Sequence, residues 1–148
     1  MNLLPLAAKA ALIALVCAAC ATDPSARDAE RLALYRAHAG EPVPSFRYYG
    51  RLSGWTPLGE EAIAVWTRPS TAYLLEFRGS CPDVEFASAI QVTHQSSTVY
   101  ARFDRVVPLG RTQPSFPCYI GAIRPLDVGA LRDAERERRD GIDAAERD

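Results

Sequence analysis

The sequence predicts an α+β domain, mainly antiparallel, with a small curved or barrel-like sheet of five to six strands and two or three short helices. Three observations carry that expectation. Apolar and polar residues alternate with period two over several short segments, as in Phe46-Arg47-Tyr48 and Val99-Tyr100-Ala101. Gly and Pro punctuate the chain between those segments. Apolar residues at helical spacing appear near the two ends, around Leu32 to Tyr35 and Val128 to Ala134, and over one short segment at 84–90. Strands with one polar side argue against a parallel sheet covered on both faces.

The N-terminus reads as a processing segment. Lys9, the apolar run Ala10 to Val16 and then Cys17-Ala18-Ala19-Cys20 follow the order of a secretory signal. The run is far shorter than the roughly 20 apolar residues of a spanning helix. Small Ala18 and Ala19 before Cys20 suit lipoprotein cleavage, whereas bulky Val16 precedes Cys17. The stretch resembles the bacterial lipobox, with Cys17 standing where Leu is commonest. Residues 1–19 are therefore expected to be removed and Cys20 to be lipidated; the alternative is an ordinary signal cut near Ala19 or Ala21. By resemblance to lipoprotein sorting, Ala21 after Cys20 implies the inner leaflet of an outer membrane, facing the periplasm; the alternative cut leaves a soluble periplasmic protein.

Residues 20–44 are expected to act as anchor and tether, with Ser25 capping a modest helix that Gly40 and Pro42 stop. The domain proper spans 45–132. A first strand covers 46–52, and Gly54 to Gly59 forms a loop. Ile63, Val65 and Thr67 oppose Ala64 and Trp66 in a second strand. Residues 72–77 form a third, paired with the second as a hairpin across Pro69-Ser70. Val84, Phe86, Ala87 and Ile90 share a face of a short helix over 84–90, capped by Asp83 or Ser80. A strand or turn lies around Val92 and His94, another strand runs from Val99 past Asp104 to Val107, and the last runs from Cys118 to Arg124. Asp127 caps a final helix, and residues 133–148 form a charged C-terminal tail, exposed or frayed.

Loss of residues 1–19 removes the one lysine and leaves 16 arginines against 18 acids, a formal charge of −2. These charges are interspersed through the domain, and no basic stripe of the kind nucleic acid requires is present. Cys81 and Cys118 remain as an even pair. In an oxidising compartment such a pair reads as a disulfide; a redox pair or a metal site is the alternative, without a C-x-x-C or a histidine cluster to support it. No cofactor is called for.

Several runs together carry a resemblance: Trp55-x-Pro57-Leu58-Gly59, Ala64-Val65-Trp66-Thr67-Arg68-Pro69, Gly79-x-Cys81-Pro82-Asp83, Ala101-Arg102-Phe103-Asp104, and Cys118-x-Ile120 through Asp127. They are similar to an uncharacterised family of small proteobacterial lipoproteins, found notably in Xanthomonas-like bacteria and known as a domain of unknown function. The resemblance covers about residues 44–132. It implies an exported, lipidated protein, agrees with the Cys81–Cys118 pairing, and implies no activity or catalytic residue.

Catalysis needs convergent groups. His94 is the one histidine within the domain, followed by Ser96 and Ser97 without a strand-turn-helix setting for a nucleophile. Asp83 with Glu85 has the makings of a carboxylate pair for glycoside hydrolysis, but a helix cap and first-turn acid explain both. Asp104 reads as a local cap or ion-pair partner, and Gly50, Gly54 and Gly59 lack phosphate-loop spacing. The preferred function is thus a non-enzymatic envelope module for binding or structure, with a small hydrolase of an envelope substrate as the alternative. Trp55, in its Gly/Pro-bracketed loop, and Arg68 at the hairpin turn are the expected contact surface for an envelope protein or glycan.

Overall fold

A computed structural model describes residues 23–110 and 115–147; the expected processing segment and Cys20 lie outside them. The architecture is α+β and mainly antiparallel. Eight strands are β1 (Ser45–Arg47), β2 (Gly54–Pro57), β3 (Ala62–Arg68), β4 (Thr71–Phe77), β5 (Ala89–Val92), β6 (Thr98–Tyr100), β7 (Arg105–Leu109) and β8 (Cys118–Leu126). Six of them form one sheet in the order β2-β3-β4-β8-β7-β5, and β1 pairs with β6 as a separate ribbon. The sheet stays open, with β2 and β5 at its edges. Helices α1 (Pro24–Ala37) and α2 (Val128–Ala145) flank it.

The β3–β4 hairpin forms as the alternation predicts, with Ile63 opposite Leu75 and Val65 opposite Tyr73 around the Pro69-Ser70 turn. Its burial differs from expectation, because both faces of β3 are covered. Ile63, Val65 and Leu75 join a core with Phe46, Val99, Val106, Ile120 and Ile123. Ala62, Ala64, Ala72 and Leu74 face a second core built from Leu32, Tyr35, Leu126, Val128 and Leu131. The alanines have side chains short enough for the helices to pack close to the strands, so this face reads as weakly apolar in sequence and is nevertheless dry.

Asp23, not Ser25, caps α1: its Oδ1 accepts the Ser25 N–H at 3.0 Å, and Pro24 sits in the first turn, where its missing donor costs nothing. Leu32 and Tyr35 are buried on the sheet. The Tyr35 hydroxyl donates to Glu135 of α2 at 3.0 Å, and burial together with the Glu135 charge pushes its pKa up to about 12. Arg36 pairs with Glu76 at 2.7 Å and Glu61 at 3.2 Å. Beyond the helix, Ala39 and Val43 bridge to Leu126 and Ile123 of β8. From Pro24 onward the segment expected as a spacer is therefore part of the folded body. At the other end Asp127 caps α2 by accepting the Ala130 N–H, and the charged stretch from Glu135 continues the helix on an exposed surface to Ala145.

Three local expectations fail for identifiable reasons. Gly54–Pro57 is an edge strand, not a loop, held by its pairing with β3. The helix expected over 84–90 is only a 3-10 turn at Pro82–Val84, and Phe86 is 84% exposed. Cys81 N–H is tied to Glu60 O, and Ala89 already pairs with Leu109, which leaves too little chain for a helix. The long strand from Val99 breaks into β6 and β7 at a turn where Arg102 adopts φ 72°.

Cys81 and Cys118 are joined, with 5.7 Å between their Cα atoms and 37 residues of separation. The bond fastens the chain entering β8 to a fully buried site beneath Val84. Closing a loop of this size constrains the unfolded chain by about 4 kcal/mol in the chain-entropy account. Reduction is expected to lower unfolding stability by roughly 2–4 kcal/mol, read as a fall in the urea midpoint with and without reductant; an unchanged midpoint contradicts this assignment.

Candidate functional site

The turn end of the β3–β4 hairpin builds a cleft. Register shifts between Trp66 and Arg68, so Arg68 and Thr71 pair across the turn, and the Thr67 hydroxyl donates to Thr71 O at 3.5 Å. The chain leaving β1 passes alongside, turning at Gly50 with φ 76°, a conformation that favours glycine. Arg47, Tyr49 and Arg51 on that chain face Thr67, Arg68, Thr71 and Tyr73 across a cleft of about 360 Å³. Tyr73 is held by stacking on Phe46, with ring centroids 4.5 Å apart. Tyr49, by contrast, is 71% exposed.

Among the described residues no carboxylate lines this cleft. Among the described residues the ion pairs involve Arg36 and Arg136, so Arg47, Arg51 and Arg68 have no acidic partner. Like charges gathered without a counterion repel one another, and an anion entering between them relieves that repulsion.

Arg68 thus lies in the cleft, while Trp55 does not line it. Trp55 sits on β2 opposite Val65, half-buried and packed against the first core. Sequence reasoning places Arg47, Tyr49 and Arg51 on the polar side of the 46–52 strand and assigns the aromatic residues, Tyr49 and Tyr73 among them, chiefly to core packing; it does not bring them together with Arg68 as a site. A signal was available: the chain from Pro42 to Gly59 carries Arg47 and Arg51 and no acid, and the chain from Ala62 to Leu75 carries Arg68 and no acid.

The acids gather elsewhere. Asp23, Asp28, Glu60, Glu61 and Glu85 line a second cleft of about 620 Å³ between the start of α1 and the β3 and β4 ends opposite the turn. Burial, then a hydrogen bond with Asp28 and the charges of Asp28 and Glu60, hold the Glu85 carboxyl above its ordinary pKa. Strand β3 separates the two clefts, and its six steps from Ala62 to Arg68 span about 20 Å.

Among the described residues no side-chain hydrogen bond joins the other acid–base candidates to one another. Ser96 and Ser97 take φ of 49° and 59° in the turn closed by Gln95 and Thr98, and His94 lies edge-on to Tyr48 at 5.1 Å. Asp83 belongs to the 3-10 turn, apart from Glu85's partners. Asp104 is buried as a structural acceptor: Oδ1 takes the Thr93 hydroxyl and Oδ2 the Tyr100 N–H, each at 2.7 Å. Among the described residues no group of three or more His, Cys, Asp or Glu converges as a metal site.

In comparison with known proteins, the pattern of a family of unknown function (DUF6491) matches residues 3–141. No curated protein and no solved structure matches the chain.

Asp104→Ala leaves the Tyr100 N–H and the Thr93 hydroxyl without their acceptor. Its expected cost is about 1.5–3 kcal/mol, the range for hydrogen bonds to a charged group, measured by urea unfolding. A variant as stable as the parent contradicts the structural assignment of Asp104.

Proposed function

The chain belongs to the family of unknown function DUF6491, and from its own residues we propose that it is an envelope lipoprotein, tethered through Cys20, that acts by binding and not by catalysis. The observation that carries the binding role is the cleft at the hairpin turn, where three arginines gather without an acid. Among the described residues His94 makes no side-chain hydrogen bond to Ser96, Ser97 or an acid, which supports the same side of the choice.

The signal-like order ending in Ala18-Ala19-Cys20 and the disulfide between Cys81 and Cys118 support an exported, oxidising setting. Among the described residues no helix is long and apolar enough to cross a membrane. In this reading, acyl chains on Cys20 hold the protein to the inner leaflet of the outer membrane, since two or more chains anchor firmly where one is marginal. Asp23 is three residues from Cys20, a reach of at most about 11 Å. The acidic end therefore lies next to the bilayer, and the arginine cleft opens into the periplasm toward an envelope protein or glycan. Tethering raises the effective concentration of the module toward such partners.

A hydrolase of an envelope substrate is the second reading, and one observation favours it: Glu85 shares a hydrogen bond with Asp28 in the larger cleft and holds its proton more tightly than a free carboxylate.

Membrane fractionation and intact-mass measurement test the proposal. The parent chain is expected in the membrane fraction with acyl mass on Cys20, and Cys20→Ala in the soluble fraction without it. A parent chain that is soluble and unacylated overturns the tether. Cleavage of peptidoglycan by the purified protein, abolished in Glu85→Gln, replaces binding with hydrolysis.

A further inference from the structure

We infer that the cleft at the hairpin turn binds an acidic sugar, a saccharide bearing carboxylate or phosphate groups held by Arg47, Arg51 and Arg68. This rests on the reading of the protein as a binding module and assigns that module a ligand class.

The charge comes first. Arginine stays protonated under all physiological conditions, and its planar fork meets a carboxylate or phosphate with two parallel N–H donors. Three such groups line one cleft, and among the described residues no acid lines it and none of the three is engaged in an ion pair. The overall composition does not produce this, because the chain carries a formal charge of −1. The acids instead gather around Glu60 and Glu85, a strand length away.

Aromatic side chains then select the kind of anion. The Tyr73 ring is fixed by its stack on Phe46 and contributes one wall. Tyr49 stands 71% exposed beside it, offering a flat ring with a polar tip. A bare ion has no use for these rings, whereas the C–H face of a sugar covers them while its hydroxyls reach Thr67 and Thr71. The volume of about 360 Å³ lies at the lower end of small-ligand pockets, which suits one or two sugar units.

The location disfavours two other anions. An extended acidic peptide gains most from pairing along a free strand edge, and this cleft lies at the closed end of the hairpin, where Pro69 and Ser70 turn the chain. Lipid headgroups of the anchoring leaflet lie at the opposite end of β3 in the tethered orientation. A sugar free of the bilayer, or one projecting from another envelope component, reaches the cleft unobstructed.

The full mature chain, purified in neutral detergent, is titrated calorimetrically with glucose 6-phosphate, digalacturonate, glucose, inorganic phosphate and hexaglutamate. Saturable binding of at least one acidic sugar is expected. Glucose and inorganic phosphate bind it at least about tenfold more weakly, as expected when charge and ring contacts both contribute. Arg51→Gln and Arg68→Gln each weaken acidic-sugar binding at least about fivefold and leave the urea midpoint unchanged. Vesicles of anionic phospholipid added to the titration do not compete.

The inference is overturned if neither acidic sugar binds, if glucose or phosphate binds equally well, if hexaglutamate binds more tightly, if the vesicles compete, or if both arginine variants bind like the parent. Acyl mass is read on the same preparation. Its absence defeats the tether, while sugar binding stands or falls by the titration.

Discussion

The double burial of the β3–β4 hairpin is the constraint on which the rest of the structure depends. A strand whose alternate residues face two separate cores has no solvent side on which to place charge. From Ala62 to Val65 every residue is buried, and along β4 Ala72, Leu74 and Leu75 are buried as well. The pair β4–β8 completes this centre, with Leu75 opposite Ile123 and Leu74 opposite Arg124. Charge on the hairpin is consequently confined to its extremities. Glu60, Glu61 and Glu76 stand at one end and Arg68 at the other.

That confinement makes the molecule polar along its strands. At the acidic end, Arg36 bridges Glu61 and Glu76, and the start of α1 adds Asp23 and Asp28. At the turn end, β1 and the chain after it contribute Arg47 and Arg51 with no acid among the described residues to offset them. In the proposed tethered arrangement Cys20 precedes Asp23 in the chain, so the topology that separates the charges would also separate an anchor from the arginine cleft. The two helices stabilise this arrangement from one face, joined by the Tyr35–Glu135 hydrogen bond. On the other face, the Cys81–Cys118 bond and the Asp104 acceptor fix the chain that forms β5, β6 and β7.

The hairpin was legible because alternation, strand length and a Pro-containing turn agree there. The last strand and the Asp127 cap were legible for the same reason: each local signal pointed the same way. The second face was hidden by its alanines, since Ala62, Ala64 and Ala72 carry little hydrophobic signal and yet lie under two helices. Strand β2 was hidden by Gly54 and Pro57, residues that argue for a loop until an edge pairing accommodates them. The helix over 84–90 was a false periodicity, because Val84 is buried and Phe86 projects into solvent. Arg68 was found from its turn, whereas its convergence with Arg47 and Arg51 is tertiary. Only the long acid-free stretches around them marked it in the sequence.

In the proposed tethered orientation the arginine cleft points away from the bilayer. Fluorophores incorporated by unnatural amino acids in place of Asp28 or Ser70, on the acylated chain in vesicles containing an acceptor lipid, measure each position's distance from the bilayer. Stronger energy transfer is expected from position 28, with position 70 about 20 Å farther out, the length of the hairpin strands. Equal transfer from the two positions, or stronger transfer from position 70, would contradict that orientation.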